Sequence, residues 1–239
     1  KQQYQYFLSV LLDTMLPDTD TKLGNITINN ITTLMAKHAY NDWSNRGVHL
    51  ANHVMSVARI VFNYGISMEK IGQNPFINIK KRIPIRRKTV WTRGNVTDFL
   101  DMAYSDFKTR SIGLIAHMAY DWCQRLGDMR LLQWSNIDLE EQRVHIEQSK
   151  RRAEVFLPIG DSLGEMLVQQ KEDFGFQPYV APRVRPVRGK YMPYSLYALP
   201  REARKIMVRV NLPEELRLSD LRRTGTVEMV DAGVSMGNI

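Results

Sequence analysis

The chain has 239 residues, 44% of them hydrophobic, which suits two compact domains of about 100–150 residues each and argues against disorder. One cysteine, Cys123, rules out an internal disulfide and a thiolate metal cluster, and no apolar run approaches the roughly 18 residues that span a bilayer. A net charge of +8 favours an anionic partner. Lys1 to Tyr6 lacks a signal-peptide pattern, so the expected location is the cytoplasm, with no membrane partner.

Residues 4–16 read as a helix ended by Pro17 and an Asp-rich turn. Ile31, Leu34, Met35 and Ala39 form a second helical stripe after Asn29 and Asn30. Leu50, Val54, Val57 and Val61 recur at helical spacing up to Tyr64, with Gly65 as the stop. Asn74-Pro75 closes this all-helical bundle, because the residue before a proline leaves the helical region.

Charge is distributed unevenly. Residues 1–88 hold 12 Lys+Arg against 5 Asp+Glu, while 89–239 hold 21 against 20. Lys80, Lys81, Arg82, Arg86, Arg87, Lys88 and Arg93 fall in one stretch without an acid, interrupted by Pro84. Such an extended basic strip suits a phosphate backbone. On charge alone a solvated linker or a membrane-surface patch stays open.

A second domain begins near Trp91, with Thr92 or Asn95 available to cap a helix through Met102. Another helix over about 111–124 carries the stripe Ile112, Ile115, Ala119 and Trp122. The period then changes: Val144 and Ile146 alternate with polar neighbours, as do Val155 and Leu157, which predicts an antiparallel hairpin. The segment 179–193, with Pro182, Pro186, Arg183, Arg185 and Arg188, reads as a mobile basic loop. Helices resume over 196–210 and 219–232, where Gly233 supplies the stop.

Three cations stand at distinctive places: Arg125 before a helix, Lys150 on the hairpin and Arg222 on the last helix. The text from Arg125 through Leu126-Gly127-Asp128 to Leu131-Leu132-Gln133-Trp134 resembles the first conserved box of tyrosine recombinases of the phage-integrase type. Gln148-Ser149-Lys150, continuing to Phe156-Leu157-Pro158, is similar to their strand-borne lysine motif. Leu218-Ser219-Asp220-Leu221-Arg222, followed by Asp231-Ala232-Gly233, resembles the box written as His, two residues, Arg. In the first half, Asn52-His53, Arg59 to Tyr64 and Asn74-Pro75 look like the family's DNA-gripping helical domain.

The resemblance implies a mainly α fold with a small antiparallel β-sheet. A helical-bundle, SAM-like DNA-binding domain would occupy 1–79, a basic linker 80–92 and a recombinase catalytic domain 93–239, closing on duplex DNA as a clamp. It assigns Arg125 and Arg222 to a phosphate clamp, Lys150 to proton delivery and Asp128 to holding Arg125. DNA contacts are expected from Asn52, His53, Arg59, Lys80, Lys81, Arg82, Arg86, Arg87 and Lys88. Implied as well are site-specific strand exchange through a 3′-phosphotyrosyl intermediate, a protein tetramer on double-stranded DNA, accessory DNA-bending proteins, a nucleoid-associated setting, and no metal or nucleotide cofactor. The sequence shows neither a metal-ligand cluster nor a phosphate-binding Gly loop.

Two departures accompany the resemblance. Ser219 stands at the family's histidine position, and no tyrosine follows Arg222, so the nucleophile is expected beyond Ile239. A DNA-binding relative without catalysis is the rival reading. A membrane-surface or RNA-binding protein would explain the charge but leave the three cations uncorrelated. Residue by residue, ion pairs of Arg125 with Asp128 or of Arg222 with Glu228 remain alternatives, as do a helix cap for Asp128 and an exposed basic turn for Lys150 to Arg152. Cys123 and Trp134 read as packing residues, and among the histidines only His53 suits a DNA contact.

Overall fold

The computed structural model describes residues 2–17, 20–85, 87–149 and 153–235. The chain divides into two compact units between Arg87 and Lys88, inside the segment read as linker.

The first unit is built on α1 (Gln2–Leu12), α2 (Thr33–Arg46) and α3 (Val48–Ser67). Helix α1 stops short of the predicted Leu16 because residues 14–16 find other backbone partners. Leu16 N–H donates to Thr21 O at 3.1 Å and Leu23 N–H to Thr14 O at 2.7 Å. The stripe on α2 also differs from expectation. Thr32 caps the helix, its hydroxyl accepting from Met35 N–H at 3.2 Å, and the buried face is Ala36, Ala39, Tyr40 and Trp43. Leu34 is left 65% exposed. Small alanines let α2 approach α3, and the Trp43 indole N–H is satisfied by Thr14 Oγ1 at 2.7 Å.

Helix α3 runs through Gly65 rather than ending there. A Cβ at that position would lie 3.0 Å from Ile71 Cδ1, so the glycine serves close packing of the returning chain. Trp43, Phe62 and Phe76 form the aromatic centre of this unit. Asn74 makes the turn before Pro75 a fixed one. Its Oδ1 accepts from Phe76 N–H at 2.9 Å, and its Nδ2 donates to Asn63 Oδ1 at 2.7 Å.

The second unit opens with α4 (Arg93–Tyr104), started by a capping box between Thr92 and Asn95. Helix α5 (Phe107–Asp121) is buried on every face from Arg110 to Ala119, which makes it the axis of the unit. A short helix α6 (Leu126–Met129) leads to a sheet of order β1-β2-β3, formed by Ile137–Asp138, Arg143–Glu147 and Glu154–Pro158. The hairpin register pairs Val144 with Leu157 and Ile146 with Val155, as the alternation predicts. The short strand β1 carries no such signal.

Helix α7 (Asp161–Phe174) was not anticipated, although Leu163, Leu167, Gln170 and Phe174 are buried at helical spacing. The segment 179–193 folds back on itself instead of forming an irregular loop. Pro182 pairs with Pro193 and Val187 with Lys190, around Arg188 at φ 51° and Gly189 at φ 73°. Two consecutive left-handed residues are what a tight hairpin turn requires. Helices α8 (Ala198–Arg209) and α9 (Leu221–Asp231) complete the unit. As predicted, α9 stops at Gly233, whose φ is 88°, with Val234 N–H donating to Met229 O at 2.9 Å.

Helix α9 meets α5 at Gly225, where a Cβ would sit 2.0 Å from the Tyr120 carbonyl oxygen. Gly225→Ala must therefore push the two helices apart. It is expected to cost at least the ~1–3 kcal/mol of an overpacked core, read as a lower urea midpoint at unchanged slope. A wild-type midpoint would contradict the close approach.

Candidate active site and nucleic-acid interface

After α5 the chain turns sharply through Cys123, at φ 51°, and buried Gln124. Arg125 then enters α6 from extended backbone, and its carbonyl accepts from Asp128 N–H at 2.9 Å and Met129 N–H at 3.0 Å. Asp128 sits in the single turn of α6. Its Oδ2 lies 3.7 Å from Arg125 Nη1, close enough for an ion pair and too far for a hydrogen bond. Both atoms are buried, and neither has a hydrogen-bond partner among the described residues. A buried donor left unpaired costs about 1–3 kcal/mol. Asp128 thus orients the guanidinium by charge, with Nη1 buried against its carboxylate.

Arg222 lies in the first turn of α9, directly after the 3-10 segment Leu218–Asp220. Ser219 is exposed in that segment. The corner is tied down by Thr224, whose Oγ1 accepts from Trp91 N–H at 3.0 Å and donates to Asp220 O at 3.1 Å. Glu228, weighed as a partner for Arg222, accepts a hydrogen bond from the Tyr120 hydroxyl. Burial first, and then the Glu228 bond, push the Tyr120 phenol well above its usual range.

Arg222 is felt at Cys123. Burial pushes that thiol up, while a hydrogen bond with Thr226 and the Arg222 charge pull against the shift. The second candidate arginine thus acts on a residue only two positions ahead of the first. Removing the cation in Arg222→Ala should raise the Cys123 pKa further. The midpoint of the pH profile of thiolate absorbance or alkylation is then expected at higher pH than in wild type; a downward move would contradict this placement.

Lys150 lies outside the described residues, and so does Arg86. The ends of the segment that carries Lys150 are described. Gln148 N–H donates to Ala153 O at 2.9 Å, and Gln148 Nε2 donates to Gln124 Oε1 at 2.9 Å. The hairpin is thereby rooted beside the residue that precedes Arg125. Trp134 packs half-buried, its indole N–H donating to Phe174 O at 3.1 Å.

In the first unit the basic strip is strapped to the helices. Tyr40 Oη accepts from Arg82 N–H at 2.6 Å and donates to Asn52 Oδ1 at 2.7 Å, and Asn52 Nδ2 donates to Arg82 O at 2.9 Å. Arg59 directs Nε at Phe76 O and Nη2 at Ile77 O and Ile79 O, at 3.0, 3.1 and 2.6 Å. Two of the residues expected on DNA, Asn52 and Arg59, therefore spend side-chain groups on the strap's own backbone. Lys81 reaches Ser56 Oγ at 2.5 Å, and burial followed by the nearby Arg59 charge lowers its pKa. Lys80 and Arg82 are exposed and Arg87 is half-buried, while His53 is exposed and stacked 5.1 Å from the Phe7 ring. Lys88 is exposed at the start of the second unit.

Sequence reading missed a basic groove of about 560 Å³ in the second unit. Lys108, Arg183, Arg185, Arg201, Lys205 and Arg209 line it together with Asp106 and Glu202, the latter ion-paired with Arg201 and Lys205. These cations come from three separated segments: the basic 179–193 segment announced Arg183 and Arg185, and the i, i+4, i+8 spacing of Arg201, Lys205 and Arg209 on α8 was the signal for those three. Among the described residues no cluster of three His, Cys, Asp or Glu could hold a metal, and no helix is long and apolar enough to cross a membrane.

Residues 90–239 match the family described as the phage integrase family. No curated protein matches the chain significantly. Among solved structures, a lambda integrase (75–356) dimer bound to a COC′ core site superposes with a TM-score of 0.76 at 19% identity, covering 97% of this chain and 82% of that one. A lambda integrase tetramer bound to a Holliday junction gives 0.75 at 20% identity, over 95% and 66% of the two chains. A Tn1549 transposon integrase in complex with transposon right end DNA gives 0.76 at 14% identity, over 98% and 82%. At these identities the structural likeness establishes the fold, mainly helical with a three-stranded antiparallel sheet, and the family match covers well over half of the sequence: the chain belongs to the phage integrase family of tyrosine recombinases.

Proposed function

We propose that this protein is a site-specific DNA recombinase that cleaves and rejoins strands through a 3′-phosphotyrosyl intermediate. The observation that carries the reading is the Arg125 corner: a guanidinium nitrogen buried beside Asp128 without a hydrogen-bond partner among the described residues, with Arg222 acting on the same turn. Attack on a phosphodiester builds negative charge on the non-bridging oxygens, and two guanidiniums bind such oxygens in forked geometry without deprotonating. The phosphorus–tyrosine oxygen bond forms as the bond to the 5′ oxygen breaks. The departing oxygen takes a proton, the role assigned to Lys150, and the exposed Ser219 hydroxyl adds one hydrogen-bond donor. On this reading the tyrosine lies beyond Ile239 in the encoded protein, and no metal or nucleotide takes part.

Duplex DNA is the proposed partner of both units. In the first, Lys80, Lys81, Arg82, Arg86 and Arg87 meet phosphates with His53 beside them, while Asn52 and Arg59 hold the strap in place. In the second, Lys88 and the α8 groove supply further cations. Assembly as a tetramer on two sites is supported by the lambda integrase tetramer found on a Holliday junction, and accessory DNA-bending proteins would shape those sites. Ser219 at a position usually occupied by histidine favours one rival, a DNA-binding relative without cleavage.

Two measurements test this reading. If the seven basic residues from Lys80 to Arg93 meet phosphates, log affinity for duplex DNA falls with log salt at a slope of up to about −6; a flat response removes DNA as partner. On a nicked suicide substrate the full encoded protein is expected to form a covalent adduct, about 10²- to 10³-fold more slowly in Arg125→Ala and in Arg222→Ala. DNA binding without any adduct in wild type would leave the rival standing.

A further inference from the structure

We infer that Gln124 and Gln148 are positioning residues, a buried amide clasp that sets the lysine hairpin's root against Arg125. The inference rests on the reading of Arg125 as a phosphate ligand. Gln124 is 3% exposed and Gln148 9%. Their bond is directional: Gln124 Nε2 donates to Trp122 O at 3.0 Å, so Gln124 Oε1 is the end left to accept from Gln148 Nε2, at 2.9 Å.

A second tie runs from Trp122 Nε1 to Pro158 O at 3.0 Å. Pro158 pairs with Arg143, at the far end of the hairpin from Gln148. The hairpin is therefore fastened to residues 122–124 at both ends. Beside the packing of Ile146 in the core, the amide bond is the side-chain hydrogen bond among the described residues that ties the end adjacent to Arg125, since Gln148 N–H and Ala153 O bond each other within the hairpin.

The physical chemistry separates positioning from plain stability. Truncating one partner of a buried pair strands the other amide, whereas replacing both by apolar groups of similar shape is close to neutral for folding. What the double replacement removes is direction, since leucines pack equally well at several rotations of the hairpin. A site that binds a phosphate through an oriented guanidinium is sensitive to that loss, and displacements of about 1 Å commonly cost up to about 100-fold in rate.

The test uses Gln124→Leu combined with Gln148→Leu, beside each single variant. In the full encoded protein, the double variant is expected to keep its DNA Kd and to lower the denaturation midpoint less than Gln124→Leu alone, because only the Trp122 carbonyl is left without its donor. Its rate of covalent-adduct formation at saturating DNA should fall about 10- to 100-fold. In the 239-residue chain, the Arg125 Nε–Hε resonance is expected to move in the double variant and in both singles. A wild-type rate with an unmoved resonance overturns the clasp, as does a loss of rate that only mirrors a loss of stability. Should wild type form no adduct, the cleavage reading falls on its own, and the Arg125 resonance still decides whether the clasp positions it.

Discussion

Helix α9 lies so close to α5 that nothing larger than a glycine fits at Gly225 against the Tyr120 carbonyl. This contact is the constraint on which the candidate site depends. Helix α5 is buried on every face from Arg110 to Ala119, and the turn through Cys123 follows directly from its C-terminal end. Arg125 emerges from the turn within three residues, and Arg222 lies one helical turn before Gly225. Arg222, about a hundred residues further along the chain, is thus carried to the neighbourhood of Cys123, two positions before Arg125, by a backbone approach that tolerates no Cβ. Preorganisation of this kind gives electrostatic stabilisation its leverage, because the donors need no rearrangement when charge develops.

Around that contact, polar groups are placed with economy. Gln170 accepts from Arg110 Nε at 2.8 Å and donates to Ser111 Oγ and Val180 O, so one amide satisfies a buried arginine and anchors the start of the 180s hairpin. Arg110 is completed by Asp173 and by stacking 5.0 Å from the Phe107 ring. In the first unit Arg59 does similar work for the carbonyls of Phe76, Ile77 and Ile79. These arginines stabilise structure, while Arg125 Nη1 is buried beside Asp128 without a hydrogen-bond partner among the described residues. The contrast lies in what surrounds each guanidinium and is invisible in residue type.

Local signals were readable wherever the determining physics was local. Thr92 with Asn95 marked the start of α4, the two-residue alternation of Val144, Ile146, Val155 and Leu157 gave the hairpin, and Gly233 gave the end of α9. Elements whose logic was not local misled. Gly65 looked like a helix stop because its true role, making room for Ile71, involves a residue on the returning chain. Helix α7 carries no clean apolar stripe because polar Gln170 interrupts it, and that residue is inside because Arg110, Ser111 and the Val180 carbonyl satisfy its amide. Asn52 and Arg59, expected on DNA from the resemblance, also bond to a strap about 20 to 30 residues away, which no local spacing announces.

The sequence by itself determined the family, through ordered boxes around Arg125, Gln148-Ser149-Lys150 and Arg222, together with the mixed helix and hairpin architecture and the concentration of positive charge before residue 93. Those properties reside in residue identity and short-range spacing, which a linear reading preserves. Only the tertiary structure decided that Arg125 Nη1 is buried without a hydrogen-bond partner among the described residues, that Gln148 roots its hairpin on Gln124, and that scattered cations of α5, α8 and the 180s hairpin line one groove. The reason is physical: burial, orientation and close approach are set by what packs from the far side, and in this protein the far side comes from residues tens to more than a hundred positions away.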